Sequence, residues 1–317
     1  MRRFVINMFE KKVLVLVIAA LILGAAIGYA LALPQINSLK AELDELKKTA
    51  SEVVALKHQL DELKAENEAL KAELTKYTSS YVDKIKARGK LILGTSADWP
   101  PFEYVDEKGN IVGIDIEIAK KIAEHLGVEL EIKDMKFAAL IEALKNGLID
   151  IIIADMTPTA EREKQVDFSI PYYFSKGNAV ITLKGKGFTS IEDLYGKKIG
   201  VQLGTIQEEW AKENLEGKAE ITSYDRVYPE MVMVLKRGDI DAIIVGDIIA
   251  NVLIKKDPEL VIAFYVGAAS TGGAVAVPEG AEDLKYEVNK VIESLLESGE
   301  MEKIFESEIA EWLGAGG

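Results

Sequence analysis

The sequence predicts a two-lobed α/β body preceded by a transmembrane helix and a coiled-coil stalk. Three observations carry that prediction. An uninterrupted apolar run lies near the N-terminus, a Leu-rich stretch without Gly or Pro follows it, and strand-like and helix-like runs then alternate to the C-terminus. Alternation of this kind implies largely parallel sheets covered by helices on both faces.

The apolar run is Val13–Leu33. As a helix it spans about 31 Å, enough for a hydrocarbon core of about 30 Å. Arg2, Arg3, Lys11 and Lys12 precede it, so the positive-inside rule keeps residues 1–12 cytoplasmic and sends the rest outward. Ala30-Leu31-Ala32 resembles a cleavage site, which leaves a signal peptide as the competing reading. The length of the run favours an uncleaved anchor. Gly24 and Gly28 have the spacing that lets two such helices approach closely.

Residues 38–78 read as the stalk. Apolar residues fall at 39, 43, 46, 50 and 53, then at 56, 60, 63, 70, 74 and 77. Steps of four and three are the coiled-coil period, and the step from 53 to 56 breaks its phase. Asn67 falls on the seam, where one buried Asn fixes register and favours two strands. A homodimer is therefore expected.

The body occupies residues 82–317. KLILGT (90–95) reads as a strand, and Ile114, Ile118, Ile122 and Leu126 form one helix face. VELEIKDM, FAALIEALKNG and IDIIIADM continue the alternation, with Gly127 and Gly147 placed as helix stops. The rhythm restarts with KKIGVQ, TIQEEWAKENLEG, AEITSY, a helix near 227–237, and AIIVG. Lobe 1 is expected at about 88–182 and 267–317 and lobe 2 at about 183–266, with crossings near 181–186 and 264–270.

Composition narrows the chemistry. The chain has 317 residues, net charge −14, no cysteine, and two histidines, His58 and His125. Disulfides and thiol catalysis are excluded, a His-rich metal site is hard to build, and the acidic balance argues against nucleic acid. No cofactor motif is present: GVQLGTIQEEW (200–210) lacks the phosphate-loop and dinucleotide patterns.

Ligand contacts are expected where strands end. GTSADWPPFEY (94–104) puts Trp99 on a stiff aromatic loop, and Phe137 begins the turn after the next strand. In DMTPTAER (155–162), Thr157 and Arg162 follow a buried strand, and a guanidinium matches a carboxylate bidentately. Backbone N–H groups at Thr205, Ile206 and Gln207 open a helix and suit an anion. Asp247 follows AIIVG as either an ammonium acceptor or a helix cap.

These segments, with GKKIGVQLGT, GDIDAIIVGD and GGAVAVPEG in that order, resemble the solute-binding proteins of polar-amino-acid ABC importers, over roughly residues 88–314. The resemblance implies a type II periplasmic-binding-protein fold whose lobes close on an amino acid. It implies Arg162 on the α-carboxylate and Asp155 and Thr157 in the hydrogen-bonding segment before it. Thr205 and Gln207 would meet the carboxylate from lobe 2, Trp99 and Phe137 would form an aromatic sandwich, and Ser96 would select the side chain. Asp247 resembles the acid that takes the α-ammonium. It departs from the family spacing by one residue, since Gly246 stands five after Asp241; Asp155 stands where small residues are usual. An ABC permease and ATPase are the implied partners, and catalysis is not expected. A ligand-sensing domain is one alternative. A dehydratase-like enzyme on the same fold is another, with only Asp155 and Asp247 available as an acid–base pair.

Overall fold

The structure is a computed structural model that describes residues 2–75 and 80–314, with the side chains of 2–10, 18–20, 22, 25–36, 72–75 and 270 outside the description. Two compact units divide near residue 74.

The first unit is a single helix, Arg2–Thr75. Its sequence from 38 onward is built from good helix formers. Short-range pairs decorate it, including Lys47–Asp44 at 3.4 Å and His58–Glu62 at 3.4 Å. Leu39, Leu43, Leu46, Leu56, Leu60, Leu63 and Leu70 are exposed. Among the described residues no helix is long and apolar enough to cross a membrane. Much of Val13–Leu33, namely 18–20, 22 and 25–33, lies outside the described side chains, as do Leu74 and Tyr77 of the expected seam.

The second unit holds two five-stranded sheets built from ten strands. These are β1 Lys90–Thr95, β2 Glu129–Asp134, β3 Ile151–Ile152, β4 Val166–Pro171, β5 Asn178–Leu183, β6 Lys198–Gln202, β7 Glu220–Tyr224, β8 Ala242–Gly246, β9 Leu260–Val266 and β10 Ala274–Pro278. The lobe 1 sheet runs β2-β1-β3-β10-β4, and the lobe 2 sheet runs β7-β6-β8-β5-β9. In each, the first three strands are parallel, and the fourth runs antiparallel to both the third and the fifth. Parallel strands need helical crossovers. Those are Ile114–Leu126 and Leu140–Lys145 in lobe 1, and Ile206–Leu215 and Val232–Arg237 in lobe 2. The Ile114–Leu126 helix buries Ile114, Ile118, Ile122 and Leu126, the face expected from their spacing, and it stops at Gly127 in the left-handed region.

The crossings between lobes differ from expectation. Asn178–Leu183 pairs antiparallel with both Ala242–Gly246 and Leu260–Val266, so it belongs to lobe 2. The outward crossing is therefore 172–177 rather than 181–186, and the return is 267–273. Phe174–Ser175 and Ser270–Thr271 pair across these two crossings as short antiparallel strands. An apolar run such as NAVITL has no lobe preference of its own, and long-range pairing decides where it lies.

Candidate functional site

The carboxyl ends of β1, β2 and β3 face those of β6 and β8 across a cleft. The space not filled by atoms measures about 460 Å³, counting solvent at its mouth. Of the nine residues expected at the site, Trp99, Phe137, Asp155, Thr157, Arg162, Thr205 and Gln207 line it.

Arg162 sits on a short 3-10 turn, Arg162–Lys164, and is 7% exposed. Its guanidinium donates to the Thr157 carbonyl at 2.6 Å and, from the other lobe, to the Gly204 carbonyl at 2.9 Å. Phe137 covers it, with the guanidinium carbon 5.3 Å from the ring centroid. Among the described residues Arg162 makes no ion pair. Burial pulls its pKa down from the ordinary arginine value, because a desolvated cation without a counter-ion is costly. A carboxylate entering the cleft would supply that counter-ion.

From lobe 2, Thr205 caps the helix Ile206–Leu215, accepting from Glu208 N–H at 3.2 Å. The Thr205 N–H already donates to Gln202 O at 3.4 Å. The anion-binding end is therefore left to Ile206 and Gln207, in the first turn where no intrahelical acceptor exists. The Gln207 amide donates to Asn178 Oδ1 at 2.8 Å.

Trp99 forms part of the opposite wall and donates from Nε1 to Asp155 Oδ2 at 2.8 Å. Asp155 has φ 45°, the one positive φ outside glycine among the described residues. Asp tolerates that region better than most side chains, and its appearance beside a site is a common form of stored strain. The hydroxyl of Tyr173 also donates to Asp155, and the Asp155 N–H donates to Asp115 Oδ2 at 2.7 Å.

Two expected residues do not line the cleft. Ser96 is buried beneath it and donates to Asp98 Oδ1 at 2.6 Å. Its hydroxyl is taken up by that carboxylate, which in turn accepts from Gln202 Nε2 at 2.9 Å and from the Val227 N–H across the lobes. Asp247 is the first residue of the helix Asp247–Lys256, just behind Gly246, and accepts from Ser175 Oγ at 2.9 Å and Lys176 N–H at 3.3 Å. Gly246 does line the cleft, opposite Trp99.

The sequence reading missed Glu103, Tyr173, Ser175, Asn178 and Gln202, all of which line the cleft. Tyr173 and Tyr172 rest on Gly272 and Gly273. A Cβ at 272 would fall 2.5 Å from the Tyr173 ring, and one at 273 would fall 2.2 Å from the Tyr172 hydroxyl. The glycine pair and tyrosine pair were legible as motifs, but not as neighbours.

The model of the bacterial extracellular solute-binding proteins, family 3, matches residues 91–312, the whole two-lobed body apart from its ends. The chain belongs to this family. It is 41% identical over 235 residues to the arginine-binding extracellular protein ArtP of Bacillus subtilis, covering 73% of this chain and 90% of the relative. It is 34% identical to the L-cystine-binding protein TcyJ of Escherichia coli, covering 74% and 86%. Among solved structures, the Streptococcus pneumoniae amino acid ABC transporter substrate-binding protein AbpA bound to L-arginine superposes with TM-score 0.69 at 38% identity, over 73% of this chain and 99% of that one. The P235GK mutant of the T. maritima protein ArgBP gives 0.68 at 38%, over 74% and 99%. These relatives are solute-binding proteins, not enzymes.

Proposed function

We propose that the chain is an extracytoplasmic receptor that captures an α-amino acid and delivers it to an ABC importer. The observation that carries this reading is Arg162, a buried guanidinium on the cleft without a counter-ion, covered by Phe137. An α-carboxylate completes it. Thr157, Thr205 and Gln207 stand around the same point, and Trp99 with Asp155 forms the other wall. The names of the relatives, which bind arginine and cystine, support an amino-acid ligand.

The N-terminal region completes the proposal. Val13–Leu33 is apolar and basic-flanked, and tethers the receptor with the body outside the cell. The helix Arg2–Thr75 carries an exposed leucine stripe through residues 39–70 that pairs with a second copy in parallel. Pairing covers side chains worth about 1.5–3 kcal/mol each when fully buried.

The test is direct. A thermal-shift screen against the twenty amino acids identifies the ligand, since a ligand that binds the folded state raises the midpoint. Calorimetry on Arg162→Ala is then expected to show affinity lowered more than tenfold, from the roughly 2–5 kcal/mol lost when one partner of a desolvated pair is removed. Near-normal affinity in a folded Arg162→Ala protein would refute the role of Arg162.

A further inference from the structure

Behind Trp99 the cleft ends in three acids. Glu103, Asp115 and Asp155 come from three separate segments of lobe 1; Glu103 and Asp115 are both 0% exposed, and Asp155 is partly buried at the cleft. Glu103 and Asp155 line the cleft, and Asp115 lies behind them. Their donors are few. Trp99 Nε1 and the Tyr173 hydroxyl serve Asp155; the Asp155 N–H and the Tyr172 hydroxyl, at 2.7 and 2.9 Å, serve Asp115. Neither oxygen of Glu103 meets an N–H or O–H donor. Burial, with the like charges of Asp115 and Asp155 beside it, holds the Glu103 carboxyl well above the ordinary carboxylate range. Among the described residues no basic side chain pairs with any of the three.

Close, desolvated carboxylates do not all ionise together. Without a cation beside it, the nest therefore carries at least one proton. The other charges facing it do not relieve this. Asp98 and Asp247 add negative charge, and the two tyrosines stay neutral, with pKa values raised by burial. The cation of the cleft, Arg162, is already directed at the Thr157 and Gly204 carbonyls. With Arg162 committed to those carbonyls, Glu103 and Asp155 on the cleft suit a ligand that brings a positive charge.

We propose that Glu103 and Asp155 receive the cationic side chain of a basic amino acid, and that its arrival expels a proton from the nest to solvent, so capture is coupled to proton release. The proposal rests on the amino-acid reading above. It adds the class of side chain and a role for Asp155. In the exchange a carboxylic acid becomes a carboxylate, the proton goes to buffer, and the ligand's guanidinium or ammonium becomes its counter-ion. Affinity for such a ligand rises with pH until the nest is already ionised.

Calorimetry of the full chain with L-arginine at pH 7.5, in phosphate and in Tris, reads the exchange as a difference in heat, because the two buffers take up protons with different enthalpies. The expected result is net proton release with L-arginine and a smaller or absent release with L-glutamine. Glu103→Gln and Asp155→Asn are each expected to weaken L-arginine binding at least about tenfold and to reduce the protons released. Should either variant fail to fold, the buffer comparison on the unaltered chain decides alone. Equal heats in both buffers with clear L-arginine binding would overturn the proton exchange while leaving the amino-acid reading intact. Equal release with L-glutamine would overturn it too, since the α-ammonium would then suffice. Binding of neutral amino acids but not L-arginine or L-lysine removes the cationic side chain. Binding of no amino acid at all removes the underlying reading as well.

Discussion

Asp98 and Asp115 are carboxyls that the fold has taken out of water. Burial pushes both up to about 6, against hydrogen bonds that pull the other way. Each ordinarily titrates near 3.8, so between roughly pH 4 and 6 the native body holds protons the unfolded chain has released. The stability these groups contribute is full below the unfolded value and is lost as pH rises through about 6. The thermal midpoint is therefore expected to fall between about pH 4 and pH 7 from these two groups. Asp115→Asn should flatten that fall, because the amide keeps an acceptor for the Tyr172 hydroxyl and carries no charge to desolvate. Melting curves across this range check it, and an undiminished slope in the variant would place the effect elsewhere. At this scale the sequence was informative about Arg162, Trp99 and Phe137, whose chemistry and strand-end position agree. It was uninformative about Glu103, since PPFEY reads as a surface turn until Asp115 and Asp155 are brought against it. Ser96 does not line the cleft, because Asp98 claims its hydroxyl, and nothing local shows that.

The elements were more legible than their partners. Gly127 and Gly147 end their helices in the left-handed region, at φ 71° and 68°, as their spacing required. The stalk is helical through Thr75, with its leucines exposed in the single chain. On the proposed pairing with a second copy, Asn67 on the seam would favour two strands over three. Sedimentation of residues 38–317 is expected to show a dimer and residues 82–317 a monomer. Asn67→Leu should raise stability and relax the choice of oligomer. A monomeric 38–317 fragment at about 10–50 µM, ample for a weak coil, would reduce the helix to a solitary spacer. The apolar run before it makes a separate prediction. Protein in the membrane fraction should have an intact mass that includes residues 13–33, as a basic-flanked segment of that length requires. A mature chain beginning at Leu33 would instead mark a cleaved leader.

At the scale of the whole body, the lobes meet through more than the walls of the cleft. Arg226 reaches from lobe 2 to hold Asp134 with two hydrogen bonds of 2.9 and 2.8 Å. Lys136 pairs with Asp225, Asp98 receives Gln202 and Val227, and Arg162 reaches Gly204. These contacts favour the closed arrangement, and a ligand touching both walls shifts the population the same way. Solution scattering is expected to give a smaller radius of gyration with saturating amino acid than without it. Arg226→Ala should enlarge the ligand-free particle, because it leaves Asp134 unpaired at the seam. Identical profiles in all states would mean a rigid cleft.

By itself the sequence determined the order and type of the elements, the two-lobed plan and most of the expected side chains that line the cleft. Periodicity, helix stops and strand-end motifs are local, and each is written within a few residues. Tertiary structure alone decided that Asn178–Leu183 joins lobe 2, which moves the crossings to 172–177 and 267–273. It also put Glu103, Asp115 and Asp155 in one nest, seated their tyrosines on Gly272 and Gly273, and set Asp247 behind Gly246 instead of on the cleft. Strand pairing and the clustering of buried carboxyls depend on which distant segments meet, and chain-wise spacing carries no record of those meetings.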